Sequence, residues 1–230
     1  MSYFTQLDTA MRQRGLLFPL DVLLVGATGS GKSSTINALA KAPVADVGSG
    51  VDPHTQQISG YAMSDSLRFH DSAGLGDGKA ADQRHRLAIQ RSLEETCTST
   101  QGGGEYGFID MVVVILEGGI RDLGTSVTLL ETAVLPYIAP ERVAVMINQA
   151  DMAMKGRHWD RITHSPDHTL ADFLSQKAAS VQARIAESTG LSIARPVCYS
   201  AEYHYNLEAV MAHVLAHLPR HRRRVQSQSA

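Results

Sequence analysis

The stretch LLVGATGSGKSST, residues 23–35, sets four apolar or small residues in front of a glycine-rich turn that leads into a lysine. Within it, GATGSGKS at 26–33 satisfies the pattern GxxxxGK[ST], with a strand candidate before it and a helix candidate after it. Glycines permit a tight turn whose backbone N–H groups face an anion, and the amino end of the helix favours negative charge. The stretch therefore predicts a phosphate-binding loop, and the alternative is a glycine-rich turn with a solvated lysine.

Two side chains of this phosphate loop, residues 26–33, have predicted roles of their own. Lys32 is expected to reach the β- and γ-phosphate oxygens, and the hydroxyl of Ser33 is expected to bind Mg²⁺. Backbone N–H groups of the loop are expected to surround the β-phosphate. The residues predicted to contact the nucleotide here are Gly26, Ala27, Thr28, Gly29, Ser30, Gly31, Lys32, Ser33 and Ser34.

Composition limits the class of protein. The chain has 230 residues and 43% hydrophobic content, which suits one globular domain, and its net charge of -2 gives no general attraction to nucleic acid or anionic lipid. Its 2 cysteines are far apart in the sequence, so a disulfide scaffold or a zinc site is not expected. The chain has no run of 18 apolar residues, so we expect no membrane span and a cytoplasmic location.

Apolar and β-branched runs alternate with helical patterns along the chain. Strands are predicted at 19–26, 57–63, 66–71, 109–119, 142–151 and 195–201, and helices at 31–41, about 80–96, about 123–137, about 170–188 and 206–218. Such alternation favours βαβ units, with a parallel sheet and helices on both of its faces. The strand at 57–63 is expected to pair antiparallel with the next one, giving six strands. The segment 98–107 is interpreted as a flexible surface insertion.

The tetrapeptide NQAD, residues 148–151, follows a predicted strand and bears on which base is bound. Ligands of open parallel sheets lie at the carboxyl ends of the strands, so NQAD is expected to face the same crevice as the phosphate loop. The carboxylate of Asp151 can accept from guanine N1–H and N2–H together, a donor pair that adenine lacks. Asn148 is expected to brace the loop and reach the base edge. In isolation, such a tetrapeptide can equally be a turn.

Four motifs together resemble a known family. GATGSGKS, DSAG at 71–74, NQAD and SAE at 200–202 occur in the order and approximate spacing of the motifs of translation-factor-related small GTPases. The chain resembles Era-like GTPases, in the broader group that contains TrmE and EngA. The fragments GKSSTINALA, GVDPHT and HDSAGLGDG resemble in particular the Era-like GTPases of bacterial prophage and genomic-island loci. The resemblance covers roughly 20–218, and it implies the α/β fold of a P-loop GTPase G domain.

The resemblance also assigns residues to the γ-phosphate and to Mg²⁺. It implies that Asp71 holds Mg²⁺ through water, that Gly74 donates its backbone N–H to the γ-phosphate, and that Ser34 approaches the α-phosphate. Thr55 is the candidate for the threonine that completes the Mg²⁺ shell in the triphosphate state, and its alternative role is that of a capping or turn residue. Lys32, Thr55 and Gly74 are thus the expected catalytic residues.

Around the base, the resemblance implies that Ser200 and Ala201 support guanine O6 through their backbone N–H groups. Cys198, just before them, is then expected to be a buried strand residue and not a nucleophile. Gln149 stands where the family usually has lysine. Its alkyl stem can still lie on the base, but the charge is lost, so we expect weaker binding with the same choice of guanine.

Two further departures concern catalysis. Leu75 follows DSAG, where Ras-like proteins carry the glutamine that orients water, and leucine cannot hydrogen-bond to water. Gly29 replaces the asparagine with which TrmE-like members bind potassium, so potassium activation is not expected. Arg121 is predicted near the strand ends, either as a group that reaches the site or as a solvated residue at a helix start. The resemblance implies slow hydrolysis of GTP.

The chain divides into three predicted parts: an N-terminal extension at 1–18 that can form a helix, a GTPase domain at 19–218, and a basic, disordered tail at 219–230. Era proteins append an RNA-binding KH domain after the GTPase core, and only a helix and the tail follow SAE here. RNA or the ribosome is therefore a partner without support from such a domain. The arginines of the tail could contact phosphate or simply remain solvated.

These observations predict a Mg²⁺-dependent protein that binds GTP and GDP and acts as a switch. The segments 43–56 and 72–79 are expected to be ordered by the γ-phosphate and released when it leaves. A second hypothesis is a nucleotide-gated scaffold whose hydrolysis depends on dimerisation or on a partner such as an effector or a GTPase-activating protein. A third, an ATP-using P-loop kinase or transporter ATPase, is disfavoured by NQAD and SAE.

Overall fold

The structure, a computed structural model, describes residues 3–40, 59–72, 79–98 and 104–223. Its main sheet has six strands in the order β10-β7-β6-β1-β3-β2. These strands are β1 Leu20–Val25, β2 Ser59–Ser64, β3 Leu67–Asp71, β6 Met111–Glu117, β7 Val143–Asn148 and β10 Val197–Cys198. Only β2 is antiparallel to its neighbour in this sheet. The predicted mostly parallel, six-stranded sheet with one antiparallel edge strand is confirmed.

Helices cover both faces of the sheet. They are α1 Tyr3–Arg14, α2 Lys32–Ala40, α3 Lys79–Glu94, α4 Gly124–Leu129, α5 His168–Thr189 and α6 Leu207–Ala216, and α4 continues as a π-helix over Leu130–Val134. Alternate residues of β1 point to opposite faces, so Leu23 and Val25 pack with α3, α4 and α5, whereas Val22 and Leu24 pack with α1, α2 and α6. None of the helices within the described ranges is both long and apolar enough to cross a membrane.

The parallel strands end at one edge of the sheet, and this edge collects the sequence motifs. The phosphate loop follows β1, Asp71 ends β3, Asn148 ends β7 and Ser200 follows β10. Since β1 pairs in parallel with both β3 and β6, and β6 with β7, these strand ends lie side by side. The candidate site therefore follows from the topology.

Two small hairpins were not predicted. β4 Thr96–Thr98 pairs antiparallel with β5 Glu105–Gly107, so the described ends of the segment expected to be a flexible insertion are ordered strands. A second hairpin joins β8 Trp159–Asp160 to β9 Ser165–Pro166. Strands of two or three residues are too short to show the alternating pattern on which strand prediction rests.

The first and the last of the described residues, α1 and residues 219–223, pack against the domain. Leu7 and Met11 of α1 are fully buried, and they lie in the same core as α6. The expected disorder of 219–230 is wrong for residues 219–223, because the backbone oxygen of Arg223 accepts from Gly107 N at 2.8 Å. His221 O likewise accepts from Arg142 at 2.6 Å. The rest of the predicted tail lies outside the described residues.

Candidate nucleotide-binding site

The phosphate loop wraps around the side chain of its lysine. Lys32 Nζ donates to the carbonyl oxygens of Gly26 at 3.3 Å and Ala27 at 3.2 Å, and Lys32 is only 7% exposed. Ser30 N donates to Ala27 O at 3.2 Å and closes the turn. Because α2 begins at Lys32, the first backbone N–H groups of the helix face the loop, where an anion is favoured by the helix dipole. The loop has the arrangement that phosphate binding requires.

Two glycines of this loop leave no room for a side chain. A Cβ at Gly26 would lie 2.4 Å from the carbonyl oxygen of Ile115, on the neighbouring strand β6. Gly31 has φ +85°, and a Cβ there would lie 2.2 Å from the Nδ2 atom of Asn148. The phosphate loop thus approaches both β6 and the loop after β7 more closely than a loop with side chains at these positions could.

Ser33 and Asp71 bring two oxygen ligands together beside this loop. Ser33 Oγ donates to Asp71 Oδ2 at 2.5 Å, and the other carboxylate oxygen of Asp71 is buried with no hydrogen-bond partner among the described residues. Burial raises the pKa of Asp71, whereas the Ser33 hydrogen bond and the charge of Lys32 lower it. Hard oxygen ligands beside a phosphate loop fit Mg²⁺, which usually takes its remaining ligands from phosphate and water. The predicted Thr55 and Gly74, like Leu75, lie outside the described residues.

Asn148 connects the phosphate loop to the loops expected to hold the base. Its Nδ2 donates to the Ser30 carbonyl oxygen, and its Oδ1 accepts from Ala201 N, both at 3.0 Å. The side chain is 2% exposed, and both ends of the amide are satisfied. Ser200 is fully buried and exchanges two backbone hydrogen bonds with Tyr205, at 3.1 and 3.0 Å, which close the loop that carries Ala201.

Asp151 lies in a short helical turn, Ala150–Met152, which follows Asn148 and Gln149 in the chain. It is only 7% exposed, and its Oδ1 atom is buried with no hydrogen-bond partner among the described residues. A buried carboxylate oxygen without a donor is costly, and a ligand that brings donors removes this cost. Guanine N1–H and N2–H are donors of this kind.

Gln149 also reaches the phosphate loop. It adopts a left-handed backbone conformation with φ +60°, and its Nε2 atom donates to the carbonyl oxygen of Gly29 at 2.8 Å. The Gln149 side chain therefore connects the guanine loop, residues 148–151, to the phosphate loop. The packing of its alkyl stem against a base stays a prediction.

Sequence reasoning missed one buried contact of this site. The hydroxyl of Tyr199 lies 2.7 Å from Thr35 Oγ1, and Thr35 also donates to the carbonyl oxygen of Gly31 at 2.7 Å. Tyr199 is fully buried, and burial raises its pKa. A tyrosine in an otherwise apolar strand run was the available signal, because a buried phenol hydroxyl usually has a partner.

Of two other predicted residues, Arg121 is exposed, which agrees with its alternative as a solvated residue near a helix start, whereas Cys198 is less buried than expected. Arg121 is in the loop before α4, which begins at Gly124, and the backbone oxygen of Arg121 accepts from Arg184 at 3.1 Å. Cys198 is half-buried on β10, not fully buried, and burial raises the pKa of its thiol to about 11. A thiol with so high a pKa stays protonated and is a poor nucleophile.

Sequence comparison gives related proteins. Residues 21–116 match the family described as 50S ribosome-binding GTPase. The tRNA modification GTPase MnmE of Sulfurovum sp. (strain NBC37-1) is 26% identical over 151 residues, which cover 64% of this chain and 30% of that protein. Translocase of chloroplast 125 of Physcomitrium patens is 35% identical over 89 residues, 37% of this chain and 8% of that protein. The chain thus spans less than a third of either relative.

Solved structures share the fold. Toc33 from Arabidopsis thaliana in complex with GDP and Mg²⁺ aligns with a TM-score of 0.63 at 14% identity, over 97% of this chain and 94% of that one. Era in complex with MgGDPNP and a segment of 16S ribosomal RNA aligns with a TM-score of 0.57 at 16% identity, over 93% and 61%. The six-stranded sheet and its phosphate loop thus have the fold of these solved structures.

Proposed function

We propose that this chain is an Era/TrmE-like small GTPase of the G-domain type, which binds GTP and GDP with Mg²⁺ and hydrolyses GTP as a molecular switch. The observation that carries the proposal is the position of Asp151. Its buried, unpartnered carboxylate oxygen lies in the loop that Asn148 fastens to the phosphate loop. Recognition of a base with two donors and recognition of phosphate thus meet in one crevice.

Different residues bind the different parts of the nucleotide. In this proposal the phosphate loop and Lys32 hold the phosphates, and Ser33 with Asp71 holds Mg²⁺, which supplies charge neutralisation at the β- and γ-phosphates. Thr55 completes the metal shell, and Gly74 donates to the γ-phosphate. Asp151 accepts from the guanine edge. The backbone N–H groups of Ser200 and Ala201 donate to Tyr205 O and Asn148 Oδ1, so they support guanine O6 only when it replaces these acceptors.

Hydrolysis is slow in this proposal because Leu75 gives no hydrogen bond to the attacking water. The segments 43–56 and 72–79 respond to the γ-phosphate, and their two arrangements are the two states of the switch. The proposal includes a cytoplasmic location, as expected from the sequence.

A second candidate is a nucleotide-gated scaffold whose hydrolysis depends on dimerisation or on a partner protein. Leu75 favours it, because a residue from outside the site must then orient the water. Structural similarity supports it as well, since a dimerization-deficient mutant of Toc33 aligns with a TM-score of 0.66. A partner RNA is less well supported, because Arg222 and Arg223 of the basic tail are bonded to the domain itself.

The test is a comparison of nucleotides and metal conditions on the purified chain. Displacement of a fluorescent GDP analogue by GTP, GDP and ATP is measured with Mg²⁺ and with EDTA, and phosphate release from GTP and ATP is followed in parallel. We expect GTP and GDP to compete far better than ATP, Mg²⁺ to strengthen the binding of GTP, and phosphate to be released from GTP only. Equal competition by ATP would indicate an ATP-using P-loop enzyme instead.

A further inference from the structure

The hydroxyls of Tyr199 and Thr35 form a directed relay that ends on the phosphate loop. Thr35 Oγ1 lies 2.7 Å from the Gly31 carbonyl oxygen, which can only accept, so the single proton of the threonine hydroxyl is donated there. The same Oγ1 atom lies 2.7 Å from the Tyr199 hydroxyl and must therefore accept from it. The two hydrogen bonds therefore run in one direction: Tyr199 donates to Thr35, and Thr35 donates to Gly31.

This relay fixes the direction of one backbone N–H group. The Gly31 carbonyl and the Lys32 N–H belong to one trans peptide, so they point in opposite directions. The carbonyl of Gly31 accepts from both N and Oγ1 of Thr35, at 2.8 and 2.7 Å, one turn into α2. The Lys32 N–H consequently points out of the amino end of the helix, where phosphate is expected.

The backbone of Tyr199 holds the guanine side of the crevice at the same time. Tyr199 N donates to Ile147 O, and Tyr199 O accepts from Ala150 N, both at 2.9 Å. Ala150 lies between Gln149 and Asp151 in the guanine loop. Tyr199, which is fully buried, is thus hydrogen-bonded through its main chain to the guanine loop, and its side chain is connected through Thr35 to the phosphate loop.

We propose that Tyr199 is a positioning residue that orients the Gly31–Lys32 peptide toward phosphate and couples this orientation to the guanine loop. The inference rests on the proposed function, since it assigns a role within nucleotide binding. Loss of the hydroxyl leaves the ring in place and frees the Thr35 hydroxyl to rotate, because its accepted hydrogen bond is gone. The contribution of phosphate to affinity then falls, whereas guanine recognition by Asp151 is preserved.

The experiment compares a ligand with phosphate and one without it. Dissociation constants of GDP and guanosine are measured by competition for wild type, Tyr199→Phe, Thr35→Val and the double variant. Since a neutral hydrogen bond contributes a factor of about 5 to 10, we expect GDP affinity to fall by about that factor in Tyr199→Phe and guanosine affinity to change by less than about twofold. The double variant should lose no more than the greater single loss, because both changes break one relay.

Two further variants separate this role from a general effect on folding. Thr35→Ser keeps a hydroxyl and should retain wild-type GDP affinity. Tyr205→Phe removes a phenol hydroxyl six residues away, from a ring that packs edge-on against Trp159 at 5.4 Å, and should also bind as wild type does. Equal losses for GDP and guanosine, no loss in Tyr199→Phe, or additive losses in the double variant would overturn the positioning role. A wild type that binds GDP no better than guanosine would overturn the proposed function as well.

Discussion

The side chain of Asn148 lies against the backbone of Ser30, to whose carbonyl oxygen its Nδ2 atom donates at 3.0 Å. The neighbouring Gly31 makes this contact possible, because a Cβ there would lie 2.2 Å from the same nitrogen. The loop expected to hold the base and the loop expected to hold the phosphates are therefore in direct contact.

Removal of the lysine ammonium tests the phosphate loop. Lys32→Ala should abolish tight binding of GTP and GDP while the protein stays folded, because the cation expected to face the β- and γ-phosphates is lost. Circular dichroism and nucleotide competition measure the two properties. Lys155→Ala, which removes an exposed lysine beyond the guanine loop, is the matched control and should bind normally. Unchanged GTP affinity in Lys32→Ala would disprove the assignment of the loop.

The rate of hydrolysis distinguishes the two candidate functions. Purified protein should hydrolyse GTP far more slowly than the typical enzyme median of about 10 per second, since Leu75 cannot orient the attacking water. Phosphate release is measured over a wide range of protein concentration. A constant rate per molecule supports a slow intrinsic switch, and a rate that rises with concentration supports activation by dimerisation. Rapid turnover at low concentration would mean that a catalytic residue within the chain has been missed.

The main sheet could be predicted because its strands other than β2 are either apolar runs or end next to a recognisable motif. β1 and β7, for example, are buried along their entire length and are apolar apart from Asp21 and Asn148. The hairpins β4–β5 and β8–β9 could not be predicted, since strands of two or three residues carry no periodic signal. The order of residues 219–223 also escaped prediction, because it comes from arginines that reach backbone carbonyls distant in the sequence.

The candidate site, like the fold, could be predicted only in part. The sequence placed the phosphate loop and NQAD at one edge, because motif spacing and strand order determine that placement. It did not reveal that the Gln149 amide reaches Gly29 or that Tyr199 bonds to Thr35. Such contacts depend on rotamers and on the distance between two loops, which a single sequence does not specify. Thr55 stays a prediction, since it lies outside the described residues.

The last described arginine is expected to stabilise the fold. The guanidinium of Arg223 donates to the carbonyl oxygens of Leu93 and Tyr137, and burial lowers its pKa. Arg223→Ala should therefore reduce the free energy of unfolding by about 1–3 kcal/mol, the usual contribution of hydrogen bonds made by a charged group. Chemical denaturation measures the change. Arg220→Ala, at an exposed position three residues earlier, should have little effect, and equal effects of the two changes would argue against the buried role.

Asp110 should make stability depend on pH. Burial raises the pKa of this carboxyl to about 7, so between about pH 4 and 7 the folded state retains a proton that the unfolded state has lost. As the pH rises through this range, Asp110 therefore lowers the free energy of unfolding. Asp110→Asn removes the charge and keeps an acceptor for Asp21 N, which donates to Asp110 at 3.1 Å.

The variant should be more stable than wild type at pH 8, by at most about 4 kcal/mol for a shift of about three units, and the gain should shrink at pH 5. Unfolding free energies at the two pH values measure it. Asp172→Asn, at an exposed position on α5, is the control and should show no such gain. A gain in Asp110→Asn that is the same at pH 5 and pH 8 would exclude the titration of Asp110 as its cause.

The most direct test of guanine recognition is competition binding of GTP, ATP and xanthosine triphosphate to wild type and Asp151→Asn. Wild type should prefer GTP over ATP strongly, by up to about 10⁴–10⁵, because a buried acceptor without its donors is costly. In Asp151→Asn an amide N–H faces guanine N1–H, so GTP affinity should fall steeply. Xanthine has a carbonyl in place of the 2-amino group, so xanthosine triphosphate should bind the variant better than GTP does. If Asp151→Asn keeps the wild-type preference for GTP, Asp151 is a turn residue and the account of guanine recognition is wrong.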